Sequence, residues 1–138
     1  MRENFILTRA AELDALQAFR DFIARVCKQL KISDDIAFQL QLACDEAATN
    51  VIQHGYAGMN PGSIMLELRP QSKKITMILS DFGHPFEPVP TDAPDVDALM
   101  RDEPTTGFGL YLIYSTMNEV SYFSDEQGNH LVLVKELK

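Results

Sequence analysis

The chain contains no tryptophan and, among 138 residues, only two cysteines, Cys27 and Cys44, and three histidines. Both cysteines sit in helical patterns, and with two Cys and three scattered His there is no zinc spacing. Both cysteines are therefore expected as buried, reduced thiols. Basic charge is scarce as well: 12 Lys and Arg stand against 20 Asp and Glu, a net charge of -8. Affinity for a phosphate backbone needs clustered Lys and Arg, which argues against a nucleic-acid-binding surface. No run of about 18 apolar residues occurs, so no membrane-spanning helix is expected. The first residues carry Arg2, Glu3, Arg9 and Glu12 in place of a signal-peptide core. The expectation is a cytoplasmic protein with no direct nucleic-acid or membrane contact.

What is present is ordinary globular composition, 46% hydrophobic and 23% charged, in a length that fits one domain over residues 1–138. Phe5 to Thr8 reads as a strand. From Glu12 to Leu30, Leu13, Leu16, Phe19, Phe22, Ile23 and Val26 recur at helical steps. Ser33 before Asp34 and Asp35 is an N-cap with two carboxylates in the first turn, opening a second helix to about Gln53. Ser63 to Arg69 and Lys74 to Asp81 alternate as strands, as do Val120 to Ser124 and His130 to Leu137 around a turn at Gly128. Between Phe82 and Thr106, five prolines preclude a long regular element, and a loop of that length reads as a lid. A short helix is expected over Leu110 to Met117. The fold class is α+β: a two-layer sandwich, with helices on one face of a mixed sheet.

Three patterns carry chemistry. Glu46, Asn50 and His54 fall at i, i+4 and i+8 of the second helix, so an acid, an amide and an imidazole share one stripe. Magnesium takes hard oxygen ligands such as the Asn50 carbonyl, and Glu46 one turn earlier can accept a proton from an attacking hydroxyl. Taken alone, a polar helix face facing solvent has the same pattern, and His54 reads as a helix-end residue. Asp81-Phe82-Gly83 spells the magnesium triplet of eukaryotic-type kinases, but the chain is too short for that fold and lacks its catalytic loop and strand lysine. Asp81 instead continues the buried parity of Ile75, Met77 and Leu79. It reads as a strand-end carboxylate able to accept from an amino group on a base edge, with Gly83 allowing close backbone approach. Thr106-Gly107-Phe108-Gly109-Leu110 opens a helix whose unpaired amides suit phosphate.

Together and in order, these segments resemble the ATP-binding domain of the GHKL superfamily, in particular the bacterial anti-sigma factor serine kinases. The resemblance rests on Asp45 to Asn50, His54-Gly55-Tyr56, Asp81-Phe82-Gly83, Gly107 to Ile113, and the Gly128-Asn129 hairpin with Leu131 to Lys135. It implies a Bergerat fold in which Asn50 holds Mg2+, Glu46 is the general base and Asp81 reads the adenine amino group. Gly83, Arg101, Thr106, Gly107, Phe108, Gly109 and Leu110 would surround ATP. It also implies a homodimer that binds a sigma factor and phosphorylates a STAS-domain anti-anti-sigma factor. The alternative is a non-catalytic ATP-binding module that sequesters such a partner. The chain departs from the family at Pro85, where a second glycine is expected, and at Thr106, where many relatives have glycine. On the last strand, Asn129 or His130 stands in for the threonine that often faces adenine.

Overall fold

The computed structural model describes residues 3–85, 113 and 115–137. Its described elements are β1 (Phe5–Ala10), α1 (Asp14–Gln29), α2 (Asp34–Asn50), a π-helical turn (Val51–Gly55), β2 (Ser63–Pro70), β3 (Lys74–Asp81), β4 (Glu119–Asp125) and β5 (Gly128–Glu136). Much of the segment read as a lid, and half of the helix expected after it, lie outside the described residues, as do Arg101, Thr106, Gly107, Phe108, Gly109 and Leu110.

α1 buries Ala15, Phe19, Phe22, Ile23, Val26 and Cys27, the periodic stripe that drives it onto its neighbours. Each large side chain so buried contributes roughly 1.5–3 kcal/mol. Leu13, expected in that stripe, stands just before the helix and is exposed. α2 begins where the sequence places it: Ser33 is extended, and its hydroxyl accepts from the Ile36 amide at 3.3 Å. Its buried face is mostly small, with Ala43, Cys44, Ala47 and Ala48 beside Leu40, so its backbone can lie close to what it covers. Cys27 and Cys44 are free and buried, as expected. Burial lifts the Cys27 thiol to about 11 and raises Cys44 as well, which keeps both protonated and unreactive.

The strands form one five-stranded sheet in the order β1-β2-β3-β5-β4. Side chains of Ile64, Leu66, Leu68, Ile75, Met77, Leu79, Leu131 and Leu133 occupy its inner face and pack with the helices in a single core. The sandwich is as the sequence predicts, but the sheet is antiparallel at all four pairings where a mixed sheet was expected. Connection geometry explains the difference. Tight turns join β2 to β3 and β4 to β5, and tight turns make antiparallel neighbours. Two successive helices link β1 to β2, so the chain returns at the opposite end from a single-helix crossover. β3 and β4 point the same way, but β5 lies between them.

Candidate functional site

The site forms where the end of α2 meets the end of β3. α2 gives way after Asn50 to the π turn, in which the Tyr56 amide reaches back to the Val51 carbonyl, five residues earlier. His54 of the original stripe lies within this turn. Glu46 and Asn50 keep helical spacing on α2, while His54 is exposed within the turn.

Backbone contacts hold the turn against the Asp81 loop. The Gly55 carbonyl accepts from the His84 amide, and a Cβ on Gly83 would overlap that same carbonyl. Gly83 thus permits a backbone-on-backbone approach that no other residue allows. Tyr56 is the second fastener: its hydroxyl donates to the Ser63 carbonyl at 2.8 Å and accepts from the Phe82 amide at 2.9 Å. Gly55 and Tyr56 therefore work as a clamp joining the helix end to both β2 and the loop after β3. The sequence identifies Tyr56 only through resemblance, since its partners are 7 and 26 residues away.

A cavity opens beside this clamp. Ala47, Asn50, Val51 and Gly55 line it from the helix and turn, Leu79 and Asp81 from β3, Tyr122 from β4 and Leu131 from β5, with His84 and Ile113 completing the wall. Apolar surface with a few convergent polar groups is the chemistry of a small-molecule site. Asp81 is buried on the inner face, as its parity predicts. Its Oδ1 accepts from the Gly83 amide at 2.8 Å and from Asn129 Nδ2 at 3.0 Å. Strand parity puts Asn129 and His130 on opposite faces. Asn129 shares the inner face with Asp81. His130 points to the outer face, where its Nδ1 pairs with Ser80 Oγ at 2.8 Å and its Nε2 with Asp125 at 2.9 Å.

Asn50 and Asp81 are thus brought to one cavity, and Gly83 is packed beside it. Glu46, half-buried one turn before Asn50, is not among the lining residues. Burial and the adjacent Asp45 carboxylate push its carboxyl above the ordinary value. Asp45 is itself engaged by Arg20 of α1, whose Nε lies 3.1 and 2.9 Å from its two oxygens. Among the described residues no group of three or more His, Cys, Asp or Glu could hold a metal. A donor set of one amide and one nearby carboxylate fits magnesium held largely by phosphate and water rather than an all-protein cage.

An antiparallel sheet covered on one face by helices, with a buried carboxylate and an amide converging on an apolar cavity, defines an α+β small-molecule-binding sandwich. The model of the histidine kinase-like ATPase domain matches residues 9–135, and the chain belongs to that family. The serine/threonine-protein kinase BtrW of Bordetella bronchiseptica is 30% identical over 98 residues, covering 71% of this chain and 69% of the relative. The anti-sigma F factor of Clostridium novyi is 27% identical over 139 residues, covering 100% of this chain and 94% of the relative. Among solved structures, that of the RsbU and RsbW domains of a Mycobacterium tuberculosis protein superimposes with a TM-score of 0.72 at 14% identity. It covers 99% of this chain and 33% of that one, a likeness of fold.

Proposed function

We propose that this chain is an ATP-dependent serine-protein kinase and anti-sigma factor, which phosphorylates a STAS-domain antagonist in a cytoplasmic partner-switching system. One observation carries the reading: Asn50 and Asp81, 31 positions apart (81 − 50), line the same cavity in a chain of the histidine kinase-like ATPase family. The names of relatives add the reaction, since one is a serine/threonine-protein kinase and another an anti-sigma factor. The homodimer and the sigma-factor partner belong to the same proposal.

Each residue then has a job. Asp81 accepts from the 6-amino group of adenine, against the apolar walls of Leu79 and Leu131. Asn50 offers its amide oxygen to magnesium, which when bound supplies charge stabilisation at the phosphates. Glu46 accepts the hydroxyl proton of the substrate serine as the serine oxygen bonds to the γ-phosphorus. The bond to the bridging oxygen breaks and ADP leaves. A carboxyl raised above its usual value is the stronger base for that transfer.

A second reading, a non-catalytic ATP-binding module, is favoured by one observation: Glu46 lies outside the residues that line the cavity. Incubation with γ-labelled ATP, magnesium and STAS-domain proteins separates the two. The kinase reading predicts label on an antagonist with wild type, and loss of at least about 100-fold in rate with Glu46→Gln at retained ATP affinity. Equal rates in the two proteins would remove Glu46 as the base. ATP binding without transfer to any antagonist would favour the module.

A further inference from the structure

Three side chains stand abreast across the inner face of the sheet. Ser124 of β4 pairs with Asn129 of β5, and Asn129 pairs in turn with Asp81 of β3. They are hydrogen-bonded in the same order. Ser124 Oγ donates to Asn129 Oδ1 at 2.7 Å; the opposite end of the amide faces only acceptors, the Asp81 carboxylate and the Gly83 carbonyl, which fixes it as the nitrogen. Asn129 Nδ2 then donates to Asp81 Oδ1 at 3.0 Å and to the Gly83 carbonyl at 2.8 Å. We propose that Asn129 and Ser124 are positioning residues that set the base selectivity of the cavity by holding Asp81; the inference rests on the ATP reading above.

The hydrogen count supports action through Asp81 rather than direct contact. A side-chain amide has two N–H groups, and both of those on Asn129 are engaged within the protein. Asn129 has no donor left to offer a ligand. The Gly83 amide adds a second donor to Asp81 Oδ1, at 2.8 Å. Both of the hydrogen bonds that Asp81 receives from described residues therefore end on Oδ1, and Oδ2 is the oxygen left to accept from a ligand. Asn129 and Asp81 are only 5% and 8% exposed, so water competes little for these bonds.

A carboxylate oxygen held in one orientation asks its partner for a donor. The 6-amino group of adenine supplies one, and the 6-oxo group of hypoxanthine does not. A site built to hydrogen-bond an N–H group rejects the analogue lacking it far more strongly than apolar contacts can. Without Asn129, the Asp81 carboxylate keeps only the Gly83 amide on Oδ1, and its terminal torsion, which is intrinsically soft, is less restrained. Discrimination should then fall even though Asp81 remains.

The test is the ratio of ATP to inosine triphosphate affinity, measured by calorimetry with magnesium present. Wild type, Ser124→Ala, Asn129→Leu, Asp81→Asn and the Asn129→Leu/Asp81→Asn double variant are compared. The expected result is a wild-type preference for ATP that shrinks by at least about tenfold in Asn129→Leu and about threefold in Ser124→Ala, chiefly through weaker ATP binding. The double variant should match Asp81→Asn, because Asn129 acts through that carboxylate. Ser124 is itself exposed at the end of β4, so its variant reports even if Asn129→Leu fails to fold. A ratio unchanged in Ser124→Ala and in any folded Asn129→Leu overturns the inference, as does an equal loss of both nucleotides. A wild type that binds ATP while the variants keep its preference removes this inference alone. A wild type that binds neither nucleotide removes the ATP reading and this inference with it.

Discussion

Glu46 sits half-buried beside Asp45, and burial first, then the neighbouring carboxylate, pushes its carboxyl upward. That position favours proton transfer and disfavours folding. A group whose folded value lies above the unfolded one binds its proton more tightly in the native state. Stability is therefore lost as pH rises from the unfolded value, about 4.3 for glutamate, through the raised folded one. Glu46→Gln should accordingly raise the melting temperature at pH 7–8, with the gain vanishing below about pH 4 where wild-type Glu46 is protonated in both states. Thermal melts across that range check it; a variant less stable than wild type at neutral pH would mean that the carboxylate makes a favourable native contact. Tyr56 is the opposite kind of residue, buried and with its hydroxyl bonded on both sides. Its task is to hold the clamp, not to touch the reacting groups.

At the scale of elements, the π turn and the loop after β3 form one unit. Gly83 is the position on which they meet, since a Cβ there would overlap the Gly55 carbonyl. Gly83→Ala should cost about 1–3 kcal/mol in urea unfolding, the ordinary range for overpacking. It should also weaken ATP binding by at least about tenfold, because separating the loop from the turn moves Asp81 relative to Asn50. Unchanged affinity in the folded variant would show that the clamp does not position the site. The sequence makes the ordinary elements legible: alternation gives the strands, three- and four-residue steps give α1, and Ser33 with two aspartates gives the start of α2. It does not reveal the π turn. Nothing local to residues 51–55 requires wider winding; the loop that holds Gly55 comes from the far end of β3. The antiparallel sense of the sheet is hidden for a related reason, since a strand's alternation does not name its neighbour.

Across the whole molecule, the sheet keeps two polar systems apart on opposite faces. Ser124, Asn129 and Asp81 are joined on the inner face, where Asp81 lines the cavity, while Asp125, His130 and Ser80 are joined on the outside. Parity alone separates them, because successive residues of a strand point to opposite faces. Asp81 was legible from parity within its own strand. Asn129 as its partner was not, since the two are 48 residues apart and only the β3–β5 register joins them. Glu46 and Asn50 were legible as a pair from helical spacing, but the meeting of Asn50 with Asp81 in one cavity depends on α2 lying across the end of β3.

The central claim, that this cavity is an ATP site read by Asp81, is tested most directly by titrating wild type and Asp81→Asn with ATP and magnesium in a calorimeter. The amide keeps the shape of the carboxylate but weakens its ability to accept from the adenine amino group. Saturable binding by wild type, reduced at least about tenfold in a variant with an unchanged fold, is the predicted result. Equal affinity in the two proteins, or no binding by wild type, would contradict it.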